Sequence, residues 1–478
     1  MNILAVTSEF FPLMKTGGLG DVAGALPSAL RSHEMNVTTL LPGYPIVMEN
    51  LKSAQTVHHY SKFFGHEARL LFANNNLAPL IILDAPHLYK RPGNPYMSSQ
   101  GKDWADNAVR FAALARSAAD IGRGIIPNYL PEVLHLHDWQ AALASVYLSV
   151  EPGPKTLLTI HNIAFQGQFP KESFSALELP EHKFATDCLE YYGGLCFMKG
   201  GLTCADAITT VSPTYAEEIC TSDFGMGLEG VLRMRRNSLH GIVNGIDDEI
   251  WNPKTDSRIS SNYDSDKLKK RFLNKLIIER RFGLERDDGI LHAIVSRLTW
   301  QKGLDVFLEC LDPLIASGAR LAVIGQGEPE LETAFYKASE KYKGRIGLYV
   351  GYDESLAHML FSGADTILVP SRFEPCGLTQ LYGLRYGCVP IVSRTGGLAD
   401  TIIDANHAAL RAGVATGFQF SPLEPNILQK TLQRAQRLYA DREVWANIQR
   451  QGMRSDVSWQ ASATAYAAIY RSLVQTKN

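Results

Sequence analysis

Short apolar runs alternate with amphipathic stretches along nearly the whole chain. Strand-like runs fall at 3–7, 37–41, 133–137, 156–161 and 207–212, and a second series at 290–297, 320–325, 345–351, 366–371 and 389–393. Continuous runs this short predict parallel strands covered on both faces. Between them, apolar residues return at helical spacing. Over 103–122, Trp104, Ala108, Phe111, Ala112 and Ala115 share one stripe. The alternation predicts an α/β protein built on doubly wound, mostly parallel sheets.

The pattern breaks between 245 and 289, where charges are frequent and no strong apolar run occurs. That stretch reads as a connection between two sheets. Two doubly wound, Rossmann-like domains follow, split near residues 243–246. The last segment, 458–477, is helical, carries Trp459, Ala463, Tyr466 and Tyr470 on one face, and fits either domain. Open α/β sheets bind ligands at the carboxyl ends of their strands, so two facing sheets would enclose a central cleft.

Charge and cysteine usage narrow the function. Lys plus Arg number 47 and Asp plus Glu 49, a net charge of −2, which excludes a general nucleic-acid or polybasic membrane binder. The seven cysteines contain no C-x-x-C pair, which argues for free thiols in a reducing compartment over a disulfide framework or zinc site. No apolar run reaches the roughly 18 residues of a membrane span. The first residues already read as a buried strand, with no targeting segment. The expected location is the cytoplasm.

Five motifs could carry chemistry. Lys15-Thr16-Gly17-Gly18-Leu19-Gly20-Asp21 lies between the first strand and a helix. It reads either as a tight turn or as an anion site made of close backbone, a helix N-terminus and a cation. It is neither a G-x-G-x-x-G fingerprint nor a G-x-x-x-x-G-K-[ST] loop. His135-Leu136-His137-Asp138-Trp139 and His161-Asn162-Ile163-Ala164-Phe165-Gln166-Gly167 close two adjacent strands, where a ligand would sit; their spacing is not that of a metal site. Ser296-Arg297-Leu298-Thr299-Trp300-Gln301-Lys302-Gly303 sets two cations at a strand end, suited to phosphate.

The fifth, Ser371-Arg372-Phe373-Glu374-Pro375-Cys376-Gly377-Leu378-Thr379-Gln380, follows a strand. Pro375 suits the first position of a helix. The amides of Cys376, Gly377, Leu378 and Thr379 would then point toward a phosphate, beside a carboxylate suited to sugar hydroxyls. Thr395-Gly396-Gly397 opens a further helix one unit later. Asp264-Ser265-Asp266 has the form of a metal-binding D-x-D, but precedes a basic stretch and reads as a helix cap.

Together, KTGGLGDV, HDWQAA, HNIAFQG, SRLTWQKG, SRFEPCGLTQLYGLRYG and RTGGLADT resemble the blocks of the bacterial glycogen synthase and plant starch synthase family, in that family's order. The resemblance runs from the first strand to the final helix. It implies the GT-B fold, with an acceptor-side domain at 1–243 completed by a crossover helix at 458–478, and a donor-side domain at 244–457. It implies retaining transfer of glucose from ADP-glucose to the non-reducing 4-hydroxyl of an α-1,4-glucan such as glycogen. With Asp264 and Asp266 read as a cap, and Lys15, Arg297, Lys302 and a helix N-terminus supplying positive charge, the expectation is a site without metal or cofactor. The missing leader points to the bacterial branch.

By motif, Lys15 and Gly18 match donor contacts, Asp138, His161 and Asn162 sugar or acceptor contacts, and Arg297 with Lys302 a diphosphate clamp. Glu374 matches the residue holding the donor sugar's 3- and 4-hydroxyls. Cys376, Gly377, Leu378 and Thr379, with Thr395 and Gly396, complete the grip. Many retaining GT-B enzymes carry a second Glu where this chain has Tyr382, which leaves the ribose contact unassigned. The alternatives are a UDP-glucose-dependent transferase, a phosphorylase, or a catalytically dead glucan-binding protein.

Overall fold

The computed structural model describes residues 1–51, 53–74, 78–98 and 100–475. The chain divides into two compact units, Met1–Asn244 together with the segment from Trp459, and Gly245–Ser458.

In the first unit, nine strands form one sheet among the described residues. Their order is Leu239–Gly241, Ala207–Thr210, Lys155–Ile160, Val133–His137, Asn2–Val6, Asn36–Pro42, Leu80–Asp84, His66–Ala73 and Gln55–Phe63. The first seven are parallel. Several of them, such as Val133–His137, are buried along their whole length; its Val133, Leu134 and Leu136 are apolar, and its two histidines are buried with hydrogen-bond partners. The edge pair 55–63 and 66–73 is an antiparallel hairpin, closed at Phe64 and Gly65 with φ of 46° and 94°. Periodicity missed it because the outer strand is polar on both faces and almost entirely exposed or half-exposed.

Two helices differ from their sequence reading. The helix expected from 103 begins at Asn107. Trp104 stays outside it, its ring under the Arg91 guanidinium at 4.9 Å, while Arg91 pairs with Asp106 at 2.8 Å. The terminal helix is Gln460–Gln475; residues 476–478, where the expected helix ended, lie outside the described residues. Its apolar face, with Tyr466 and Tyr470, packs beside Ile3, Val22 and Leu157 of the first unit. Tyr470 Oη meets His135 Nδ1 at 2.7 Å.

The second unit carries six parallel strands, in the order Ile346–Val350, Arg320–Gly325, Leu291–Val295, Thr366–Val369, Val389–Ser393 and Phe418–Phe420. The polar stretch after Gly245 is not a loose connection. Ile246, Ile259, Tyr263, Ile278 and Leu284 enter this unit's core. Some of its charges are buried there: Arg271, on the helix Arg271–Arg281, donates to the carbonyls of Phe361 and Ala364, and Lys275 pairs with Asp365 at 2.7 Å. Buried charge survives here because each group is bonded, which a hydropathy pattern cannot register.

Candidate active site

In the first unit, the loop after the first strand is organised by Glu9, which is 3% exposed. Its carboxylate accepts from Thr16 N (2.5 Å), Thr16 Oγ1 (2.5 Å), Gly17 N (3.2 Å) and Tyr96 Oη (2.6 Å). Lys15 pairs with Asp21 at 2.7 Å, and Gly18 starts the helix Gly18–Leu30. The loop is thus held from below. Glu9 and Tyr96 are 87 residues apart, and no local motif joins them.

His137 ends one strand, and His161 follows the next. His137 Nδ1 and His161 Nε2 are 2.9 Å apart. Asp138 has a left-handed backbone, φ 56°, and its Oδ1 accepts from His161 N at 2.7 Å. Burial pushes the Asp138 carboxyl up to about 7, against the opposing pull of amides from His161 and Asn162. Burial also holds His137 down at about 3 and His161 well below the usual imidazole range. Asn162 closes its own turn, accepting from Ala164 N at 3.0 Å. The two motifs interlock at Gly167: its φ is 63°, and an added Cβ would lie 2.3 Å from the Trp139 ring. Only glycine lets the second loop pass over that tryptophan.

In the second unit, Lys302 Nζ donates to Glu374 Oε2 at 2.6 Å, and Ser371 Oγ donates to the same oxygen at 2.7 Å. Arg297 is exposed, and its guanidinium has no hydrogen bond or ion pair among the described residues. The glycines here serve close backbone packing. A Cβ on Gly396 would lie 2.0 Å from the Glu374 carbonyl oxygen, and one on Gly397 2.3 Å from that of Cys376. Thr395 is the N-cap residue of the helix Gly396–Thr401, as expected, and this helix start seats the Glu374 loop, with Gly397 N donating to Glu374 O at 3.2 Å.

Pro375 does not start a helix. The helix is Thr379–Tyr386, and Gly377 before it takes φ 76°, so Cys376 and Gly377 lie in a turn. Gln380, fully buried, braces that turn by donating to the carbonyls of Cys376 (3.0 Å) and Gly377 (2.9 Å). Leu378 is the N-cap residue, and Thr379 Oγ1 donates to Val295 O at 3.4 Å. Tyr382 stacks on Trp251 with centroids 3.8 Å apart, and Trp251 on His358 at 3.6 Å. Glu9 went unnoticed in the sequence, and His137, Ser371 and Gln380 stood inside the motifs without a role of their own, because their partners are set by tertiary packing.

Asp264 caps no helix. Its side chain accepts from Asp266 N at 3.2 Å, and Asp266 lies 3.7 Å from Arg454. Among the described residues, no three His, Cys, Asp or Glu side chains gather as a metal site, and no helix is long and apolar enough to cross a membrane.

Polar clusters thus stand at the carboxyl ends of two doubly wound sheets, one rich in imidazole and one pairing Lys302 with Glu374, and the matches that follow identify this architecture as that of a GT-B glycosyltransferase. Residues 2–234 match the family described as "Starch synthase catalytic domain", and residues 277–451 that described as "Glycosyl transferases group 1". The chain is 54% identical to "Glycogen synthase" of Rhodopseudomonas palustris (strain ATCC BAA-98 / CGA009) over 477 residues, 99% of each chain. It is 54% identical to "Glycogen synthase 1" of Rhizobium meliloti (strain 1021), again over 477 residues and 99% of each. Its fold matches the catalytic domain of starch synthase IV from Arabidopsis thaliana bound to ADP and acarbose, with a TM-score of 0.89, 27% identity and 99% coverage of both chains. The chain belongs to the glycogen synthase family. It is a retaining glycosyltransferase that works with a nucleotide-sugar donor and a glucan acceptor.

Proposed function

We propose that the donor is ADP-glucose and the acceptor the non-reducing 4-hydroxyl of an α-1,4-glucan such as glycogen. The relative solved with ADP bound supports the adenine nucleotide, and the observation that carries the diphosphate-sugar site is the Lys302–Glu374 pair, with the unpaired Arg297 guanidinium on the same strand-end motif as Lys302. Arg297 and Lys302 take the diphosphate. Glu374 holds the donor sugar's hydroxyls, and the turn of Cys376, Gly377, Leu378 and Thr379, seated on Thr395 and Gly396, surrounds it. Lys15 and Gly18 serve the donor's phosphates and sugar; Asp138, His161 and Asn162 serve sugar and acceptor.

In the step proposed, the bond from the anomeric carbon to the β-phosphate oxygen breaks and a bond to the acceptor oxygen forms on the same face. The acceptor's proton passes to the departing phosphate. Negative charge grows on that phosphate as the bond breaks, and fixed cations favour the transition state over the ground state. Domain assignment follows the same division, with residues 1–243 and 458–478 on the acceptor side and 244–457 on the donor side. Seven free cysteines support work in a reducing cytoplasm.

Incorporation of radiolabelled glucose into glycogen from ADP-glucose and from UDP-glucose tests the reading. Preference for ADP-glucose is expected. Equal or better use of UDP-glucose would overturn the donor assignment.

A further inference from the structure

The imidazole of His161 is held at one nitrogen only. Its Nε2 faces His137 Nδ1 at 2.9 Å, with ring centroids 5.2 Å apart, while Asp138 fixes its backbone amide. The nitrogen left for a ligand is Nδ1. What that atom can do depends on its proton, because a bare ring nitrogen accepts a hydrogen bond and a protonated one donates.

The contact couples the two rings. Both are neutral at pH 7, since burial keeps each from taking a second proton. A hydrogen bond between two neutral imidazoles needs one N–H and one bare nitrogen. Two arrangements satisfy this. Either His161 Nε2–H donates to a bare His137 Nδ1, and both rings are Nε2–H tautomers, or His137 Nδ1–H donates to a bare His161 Nε2, and both are Nδ1–H tautomers. The first puts both rings in the ordinary tautomer of neutral histidine; the second puts both in the disfavoured one.

His137 is well placed to impose the choice. It is 1% exposed, and its ring lies against His135 with centroids 4.1 Å apart. His135 is itself held at both nitrogens, by Thr159 Oγ1 at 2.6 Å and Tyr470 Oη at 2.7 Å. A ring so packed does not rotate to present a different atom to His161.

We propose that His137 is a positioning residue that holds His161 as the Nε2–H tautomer, leaving His161 Nδ1 as a bare acceptor for a sugar hydroxyl. The proposal rests on the reading that His161 meets the sugar. It makes the cluster a hydroxyl reader and not a general acid: His137 and His161 are neutral imidazoles, and the one proton of His161 is engaged with His137.

The test is the tautomer itself, read by long-range proton–nitrogen correlation NMR on the full chain labelled with nitrogen-15 histidine. The His161 spectrum is expected to show protonated Nε2 and bare Nδ1. In His137→Phe, which keeps a flat ring without the acceptor, His161 should become a tautomer mixture. There kcat should fall about 10- to 100-fold, the scale of a misplaced group, with KM changed less. His137→Asn restores an acceptor near the Nδ1 position and should recover the signature and most of kcat; it also serves if the phenylalanine variant does not fold. A wild-type His161 carrying its proton on Nδ1, or an unchanged tautomer in both variants, would overturn the proposal. His161→Ala with full activity would instead sink the reading that His161 meets the sugar, whatever the tautomer.

Discussion

The two units offer a ligand opposite kinds of polarity. In the first, burial has stripped charge from the groups at the strand ends: His135, His137 and His161 stay neutral, and Asp138 is held up near 7. In the second, charged side chains pair with each other or face solvent. Lys302 and Glu374 are paired although little exposed, and the Arg297 guanidinium is exposed. Burial raises the cost of an ion unless a partner offsets it. Lys302 has such a partner and the histidines do not. The lesson is a division of labour: neutral groups suit hydroxyls, and fixed ions suit a diphosphate that becomes more negative as it leaves.

The largest effects should come from breaking the charged side. Arg297→Ala and Lys302→Ala are each expected to lower kcat about 10²–10³-fold in initial-rate assays, the cost of one preorganised charge donor. They should differ in stability. Arg297 has no partner to abandon, whereas Lys302→Ala leaves the little-exposed Glu374 with Ser371 but no cation and should cost about 1–3 kcal/mol by denaturant titration. Equal stability loss in both would erase the distinction. Glu374→Gln keeps the shape and the Ser371 bond, and should depress turnover while ADP affinity, measured by calorimetry, stays nearly unchanged.

The neutral side breaks more gently. Asp138 titrates at about 7 when folded and 3.8 in its unperturbed form. Unfolded chains therefore release this proton first, so its contribution to stability falls as pH rises from about 4 to 7 and stays low above. Asp138→Asn should flatten that part of the stability–pH curve, read from denaturant midpoints, while lowering turnover. An unchanged slope between pH 4 and 7 would show that the carboxyl is not held protonated.

The smallest effect concerns metal. Transfer should persist in excess EDTA, and Asp264→Asn with Asp266→Asn should shift stability by no more than about 0.5 kcal/mol with turnover unchanged. Activity lost to EDTA and restored by Mg²⁺ or Mn²⁺ would mean that the cations of the second unit are not sufficient for the leaving diphosphate.

Much of this molecule is written locally. Apolar runs marked strands such as Val133–His137, Arg320–Gly325 and Val389–Ser393 to the residue, because a strand covered on both faces must be mostly apolar. Motif spacing placed His161 and Glu374 at strand ends, since strand length and turn chemistry act over a few residues. What the chain could not declare locally was partnership. Lys302 and Glu374 are 72 residues apart, Glu9 and Tyr96 87, and His135 and Tyr470 335. Within the charged stretch 245–289, nothing local marked Arg271 and Lys275 for burial; tertiary packing supplied the carbonyls and Asp365 that bond them. Pro375 looked like a helix start until Gly377 and Gln380 bent the chain into a turn first. Composition and periodicity determine which residues avoid water, because burial depends on each side chain's own chemistry. Which polar group meets which, and so which keep their charge, is decided only when distant segments share one desolvated space.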